Sequence, residues 1–137
     1  MIFIDTGAWI TLTDKSDQYH REAAQIYSQL KNKRKRFVTT DYIIDETVTR
    51  LRYDTNHQIV VKSLDLINIS EKTGILRVTY VDERLFQKAI SIFRQYESTI
   101  LSFTDCVSFA TCKMHKIHEA FAFDQHFTMI GISLSKE

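Results

Sequence analysis

The chain has 137 residues, 44 % of them apolar and 26 % charged, and a formal net charge of +1. That is an ordinary globular composition, enough for one core, and the near-neutral charge excludes a general polyanion coat, so any nucleic-acid contact must come from local patches. With no proline and three glycines the chain has no dinucleotide-binding fingerprint and no phosphate-binding P-loop.

A continuous apolar strand is expected over 2–5, then a short helix over 8–13. From Asp17 to Leu30 the apolar positions Tyr19, Ala23, Ile26, Tyr27 and Leu30 recur at helical spacing. That helix runs into KNKRKR at 31–36, and FVTT at 37–40 reads as a second strand. Asp41 is the expected N-cap of a helix carrying Ile44, Val48 and Leu51 inward. Helical spacing continues over 57–70 through Val60, Val61, Leu64 and Ile67. Gly74 stops that helix, and 75–81 alternates like a strand. Asp82 caps another helix, with Leu85, Phe86, Ala89, Ile90 and Phe93 on one face. LSFTDCVSFA at 101–110 opens a further helix, AFAF at 120–123 is an apolar strand broken by Asp124, and 129–134 reads as a last short strand. No repeat, linker or low-complexity segment interrupts the series, so one domain over 1–137 is expected. Strands alternating with helices imply a mostly parallel sheet covered on both faces.

No apolar run approaches the roughly 20 residues that span a bilayer. The opening residues lack a basic segment before a long apolar stretch, so no leader is expected and the expected location is the cytoplasm, away from membranes. Cys106 and Cys112, six apart, form neither a C-x-x-C pair nor a disulfide framework and are read as reduced.

In a parallel sheet, ligands collect at the carboxyl ends of the strands, near the point where strand order reverses. Asp5 ends the first strand and Asp124 the fourth; Glu46 and Asp105 lie on helices that follow. Each acid has a structural reading. Asp5 can cap the first helix, Asp105 can close a capping box with Ser102, Glu46 can be a solvated helix residue and Asp124 a turn residue. Together on one sheet edge, four carboxylates would repel and raise one another's pKa, and a divalent cation with oxygen ligands would relieve that.

IDTGAWI, DYIIDETVTRL, SFTDCVSFA and AFAFDQHF, in this order, resemble the four acidic motifs of PIN-domain ribonucleases, most of all the VapC-type toxins of toxin–antitoxin pairs, over essentially the whole chain. The resemblance implies a three-layer α/β/α sandwich whose five-stranded, mainly parallel sheet has the order 3-2-1-4-5. It implies an endoribonuclease that hydrolyses RNA phosphodiesters with metal-activated water, leaving a 5′-phosphate and a 3′-hydroxyl. It further implies one or two Mg²⁺ or Mn²⁺ ions, a cognate antitoxin protein and a homodimer. By position, Asp5, Glu46, Asp105 and Asp124 become the metal-site acids, with Thr6 and Thr104 as hydroxyls beside them. The second motif offers both Asp45 and Glu46, and only the family pattern selects Glu46. The competing reading is a catalytically inactive PIN-like module that binds RNA or protein. A haloacid-dehalogenase-like phosphatase would need D-x-D where the chain has Asp5-Thr6-Gly7, and a receiver domain would need an acid pair that Asp5–Thr6 does not supply.

The basic run at 31–36 most simply complements a helix C-terminus; its alternative is an RNA-phosphate patch using Lys33 and Arg34. Arg50 and Arg52, near Glu46, are better placed for phosphates. His115-x-x-His118 lacks a third ligand and is read as a helix end. Trp9, Tyr19 and Tyr27 are core or a partner groove, and the antitoxin contact is expected on the apolar face of 8–30. Phe127 is read as packing, and Gly7 as the residue that lets the chain turn behind Asp5.

Overall fold

The computed structural model describes residues 1–136. Its elements are β1 (Ile2–Ile4), α1 (Thr6–Thr13), α2 (His20–Asn32), β2 (Phe37–Thr40), α3 (Asp41–Asp54), α4 (His57–Lys72), β3 (Leu76–Thr79), α5 (Glu83–Gln95), α6 (Phe103–Met114), β4 (Glu119–Phe121), α7 (His126–Met129) and β5 (Ser133–Leu134). The five strands form one sheet in the order β3-β2-β1-β4-β5, every pair parallel. Helices cover both faces, giving the expected three layers.

The central strands are buried on both faces and mostly apolar, with Thr39 and Thr40 the buried polar exceptions in β2. Ile2, Phe3, Ile4, Phe37, Val38, Ala120 and Phe121 are all buried. The register Phe3↔Ala120 and Ile4↔Phe121 sets the ends of β1 and β4 side by side. The chain winds outward from β1 through β2 to β3, then crosses back to place β4 on the other flank of β1. The reversal of strand order therefore falls between β1 and β4, where Asp5 and Asp124 leave the sheet.

Four helices hand over to a strand through the same motif, in which the amide two residues past the cap bonds back five residues. These bonds are Lys35 N–H to Leu30 O at 3.0 Å, Ile75 to Ser70 at 3.0 Å, Ile117 to Cys112 at 2.9 Å and Ile132 to Phe127 at 3.1 Å. The residue before each donor takes a left-handed backbone. Gly74 (φ 77°) and Gly131 (φ 81°) do so freely, whereas Arg34 (φ 56°) and Lys116 (φ 53°) are the non-glycine cases.

Several expectations are corrected. The N-cap of α3 is Thr40, whose hydroxyl accepts from Ile43 N–H at 3.1 Å. Asp41 instead accepts from Val81 N–H at 3.0 Å and ties α3 to the end of β3. The buried stripe of α3 is Ile43, Thr47 and Leu51, turned one residue from the Ile44–Val48 pattern. The segment 129–134 is not one strand: α7 occupies 126–129, and only Ser133–Leu134 pair with β4. Gly7 is helical and has no positive φ, and a Cβ there would meet Phe123 at an ordinary 3.8 Å. Its turning role is therefore withdrawn.

The aromatic residues divide. Trp9 is fully buried, its indole N–H 3.4 Å from Thr39 Oγ1. Tyr27 stacks on Phe37 with centroids 5.3 Å apart, and Phe127 packs on Phe3 and Phe109. Ala23, Ile26 and Leu30 join the same core. The apolar face of 8–30 is thus covered by the chain itself and is not an open antitoxin groove; Tyr19, stacked on Phe123, remains exposed. Both cysteines are free and buried. Among the described residues no helix is long and apolar enough to cross a membrane.

Candidate active site

Asp5 follows β1 and sits at the N-cap position of α1, but its side chain makes no cap hydrogen bond. It is 8 % exposed and finds no cationic partner among the described residues. Burial pushes its carboxyl up from 3.8 to about 7; the Thr6 amide opposes this, and the charges of Asp105, Glu46 and Asp124 add to it. The four acids are therefore within electrostatic reach of one another.

Asp105 serves two purposes. Its Oδ2 accepts from Ser102 N–H at 3.1 Å, while its own amide donates to Ser102 Oγ at 3.0 Å, a complete capping box for α6. Its carboxyl is raised, chiefly by burial, with the Ser102 bonds and His126 opposing and the charge of Asp124 adding. The cap fixes this acid's direction as well as the start of the helix.

Asp124, in the turn after β4, accepts from His126 N–H at 2.9 Å, and His126 Nδ1 lies 3.0 Å from Asp124 Oδ1 and 3.9 Å from Asp105 Oδ2. One ligand atom from each of Asp105, Asp124 and His126 falls within 4.8 Å of the others. His126 is the residue that the sequence reading did not single out. Its signal is D-x-H, two residues after the strand-end acid, where an Asx turn folds the imidazole back over that acid.

Glu46 is half-buried on α3 and its charge reaches Asp5, whereas Asp45 is exposed. The one-residue rotation of the α3 stripe explains this: Glu46 borders buried Thr47 and Asp45 faces solvent. Thr6 Oγ1 is buried with no hydrogen-bond partner, and Thr104 is half-buried at the start of α6. Arg50, one helical turn beyond Glu46, and Arg52 are exposed. Lys33 and Arg34 are not brought to the acids: they precede β2 at the amino edge of the sheet, opposite Asp5. His115 caps the C-terminus of α6 and His118 is exposed before β4; neither belongs to the ligand cluster.

These residues fit a hard divalent cation. The donors are carboxylate oxygens with one imidazole, the buried Asp5 lacks a cationic side chain, and the Thr6 hydroxyl is unspent. An α/β sheet that gathers carboxylates where its strand order reverses belongs to the class built to hold a cation against a charged ligand.

The chain belongs to the PIN domain family, whose pattern matches residues 2–132. It is 29 % identical over 131 residues to the 23S rRNA-specific endonuclease VapC20 of Mycobacterium tuberculosis, covering 96 % of this chain and 95 % of that one. It is 28 % identical over 132 residues to a VapC ribonuclease of Archaeoglobus fulgidus, covering 92 % of this chain and 78 % of that protein. The crystal structure of M. tuberculosis VapC20, described as a Sarcin-Ricin loop cleaving toxin, superposes with a TM-score of 0.89 at 26 % identity over the whole of both chains.

Proposed function

We propose that this protein is a divalent-metal-dependent endoribonuclease and the toxin of a toxin–antitoxin pair. The observation that carries this reading is the cluster of Asp105, Asp124 and His126 beside the point where strand order reverses, together with a buried Asp5 that feels the charges of Asp105, Glu46 and Asp124 and has no cationic partner among the described residues. The VapC relatives supply the substrate class.

In this reading Asp5, Asp105, Glu46 and Asp124 hold one or two Mg²⁺ or Mn²⁺ ions. When bound, the metal lowers the pKa of an attacking water and offsets phosphate charge. The chain's residues do the positioning. Ser102 orients Asp105, and His126 braces Asp124 and is itself a candidate donor. The hydroxyls of Thr6 and Thr104 steady the carboxylates or a water, as residues around a metal do. Arg50 and Arg52 meet the RNA backbone beyond Glu46. Water attacks the phosphorus and the 3′-oxygen leaves, giving the 3′-hydroxyl and 5′-phosphate ends that the family resemblance implies. The protein acts in the cytoplasm as a homodimer held in check by its antitoxin.

Two measurements test this. Calorimetric titration with Mn²⁺ should show binding that Asp5→Asn weakens; no binding at millimolar metal would leave an inactive PIN-like module. With Mg²⁺ or Mn²⁺, the protein should cut RNA, beginning with the sarcin–ricin loop of 23S rRNA that the VapC20 name suggests. Intact RNA with the wild-type protein at every metal concentration would overturn the reading.

A further inference from the structure

The basic run KNKRKR is left over from the site. It lies at the amino edge of the sheet, where α2 and α4 end and hand over to the paired strands β2 and β3. All six residues are exposed, and no carboxylate lies within ion-pair distance of their cations among the described residues. Lys31, Arg34, Lys35 and Arg36 line a concavity of ≈ 290 Å³ together with Thr73 to Ile75. Lys31 is steadied there by the Tyr27 ring, its Nζ 5.3 Å from the centroid.

Complementing helix ends does not account for this much charge. Each helix C-terminus is worth about half a negative charge, so α2 and α4 together offset about one of the five cations. The neighbouring Glu71 and Lys72 cancel. About four positive charges remain.

The backbone adds an independent observation. At the equivalent left-handed position α4 and α7 use glycine, whereas α2 and α6 use Arg34 and Lys116 at φ 56° and 53°. A side chain costs about 1–2 kcal/mol in that conformation. Both residues that carry this cost are cations on the amino edge, before the two strands that flank β1.

We infer that this edge, centred on residues 31–36 with Lys116 two strands further along it, is a second RNA-binding surface that tracks the phosphate backbone of a folded RNA. The inference rests on the ribonuclease reading for the identity of the polyanion. A protein partner fits less well. Lysine is depleted at protein interfaces, whose energy comes from buried aromatic and apolar anchors, and the concavity's one apolar side chain is Ile75. The strands that separate the two edges are three to four residues long, about 10–13 Å. A folded RNA can touch both edges at once.

The test uses the metal-free full chain, so that nothing is cut, and the variant Lys31→Gln/Lys35→Gln/Arg36→Gln. Binding is measured by fluorescence anisotropy across a salt series, with a hairpin of about 16 base pairs, the span over which double-stranded RNA is typically contacted. We expect binding at least ten-fold weaker and a salt slope shallower by about 2, at 0.7–0.9 per lost phosphate contact. The melting temperature should not change. Wild-type affinity and slope for the hairpin would overturn the inference. Retained RNA binding with loss of a protein partner would overturn it in favour of protein docking. If wild-type protein cuts no RNA with metal but the hairpin result holds, the ribonuclease reading fails and the surface stands.

Discussion

The two edges of the sheet use charge in opposite ways. At the carboxyl edge the acids are few and buried or half-buried, and their charges add to the raised pKa of Asp5 and Asp105. At the amino edge the cations are numerous, exposed and unpaired. A desolvated charge interacts strongly at short range and calls for a specific partner, whereas exposed cations are screened within about 10 Å and act as a diffuse, salt-sensitive field. The acid edge is thus suited to chemistry at one phosphate and the basic edge to holding many.

The comparison breaks first at the acids. Asp5→Asn or Asp105→Asn should lower RNA cleavage on the order of 10³-fold, the scale of removing a preorganised electrostatic element. Asparagine at 105 can still accept from Ser102, so helicity and melting should persist. Cleavage within threefold of wild type would sink the assignment.

Burial of Asp5 also predicts a pH dependence. Its folded-state value, about 7, lies above the unfolded 3.8, so the native state holds the proton more tightly. Stability in chelator should therefore fall as pH rises from about 4 to 7, by about 4 kcal/mol at most. Asp5→Asn should remove most of that slope, and saturating Mn²⁺ should flatten it in the wild type. Identical pH profiles for wild type and Asp5→Asn in urea melts would show that Asp5 is not desolvated as described.

Smaller effects sharpen the picture. Ser102→Ala should cost about 1 kcal/mol through the lost cap but leave Mn²⁺ binding nearly unchanged, because Asp105 Oδ2 is held by the Ser102 backbone N–H, which alanine keeps. A marked loss of metal affinity in calorimetry would show that the hydroxyl also holds the acid in place. At the amino edge, Arg34→Gly should raise stability by about 0.5–1 kcal/mol, the relief of left-handed strain less the added chain entropy. A lower urea midpoint would show that Arg34 makes compensating contacts. Gly7→Ala should gain about as much, being a helical position with room for a methyl group; a loss would restore a special backbone role to Gly7.

Much of the fold was legible because it rests on local rules. The Val-, Ile- and Phe-rich strand cores, the cap at Asp82 and the stop at Gly74 read directly from the chain, and Asp5 and Asp124 stood out as acids ending apolar strands. Other features were hidden for physical reasons. Trp9 and Tyr27 have the spacing of a groove as much as of a core, and only the sheet beneath them decides. The four-residue α7 is too short for a periodic signal. Asp45 and Glu46 are separated only by a rotation of α3 of one residue, which follows from docking Thr47 inward. His126 matters because an Asx turn folds it back between two acids that are 19 positions apart in the chain.

The sequence by itself determined the alternation of strands and helices, the four acidic motifs in order and the concentration of cations at 31–36, since patterning and composition are properties of the chain. The tertiary structure alone decided which of these charges meet. The crossover that sets β4 beside β1 brings Asp124 and Asp105 to Asp5, and the docking of α3 turns Glu46 toward them. The same parallel winding sends the end of α2 to the far edge. Lys33 and Arg34 are closer in sequence to Glu46 than Asp105 or Asp124 is, yet they stand across the sheet from it.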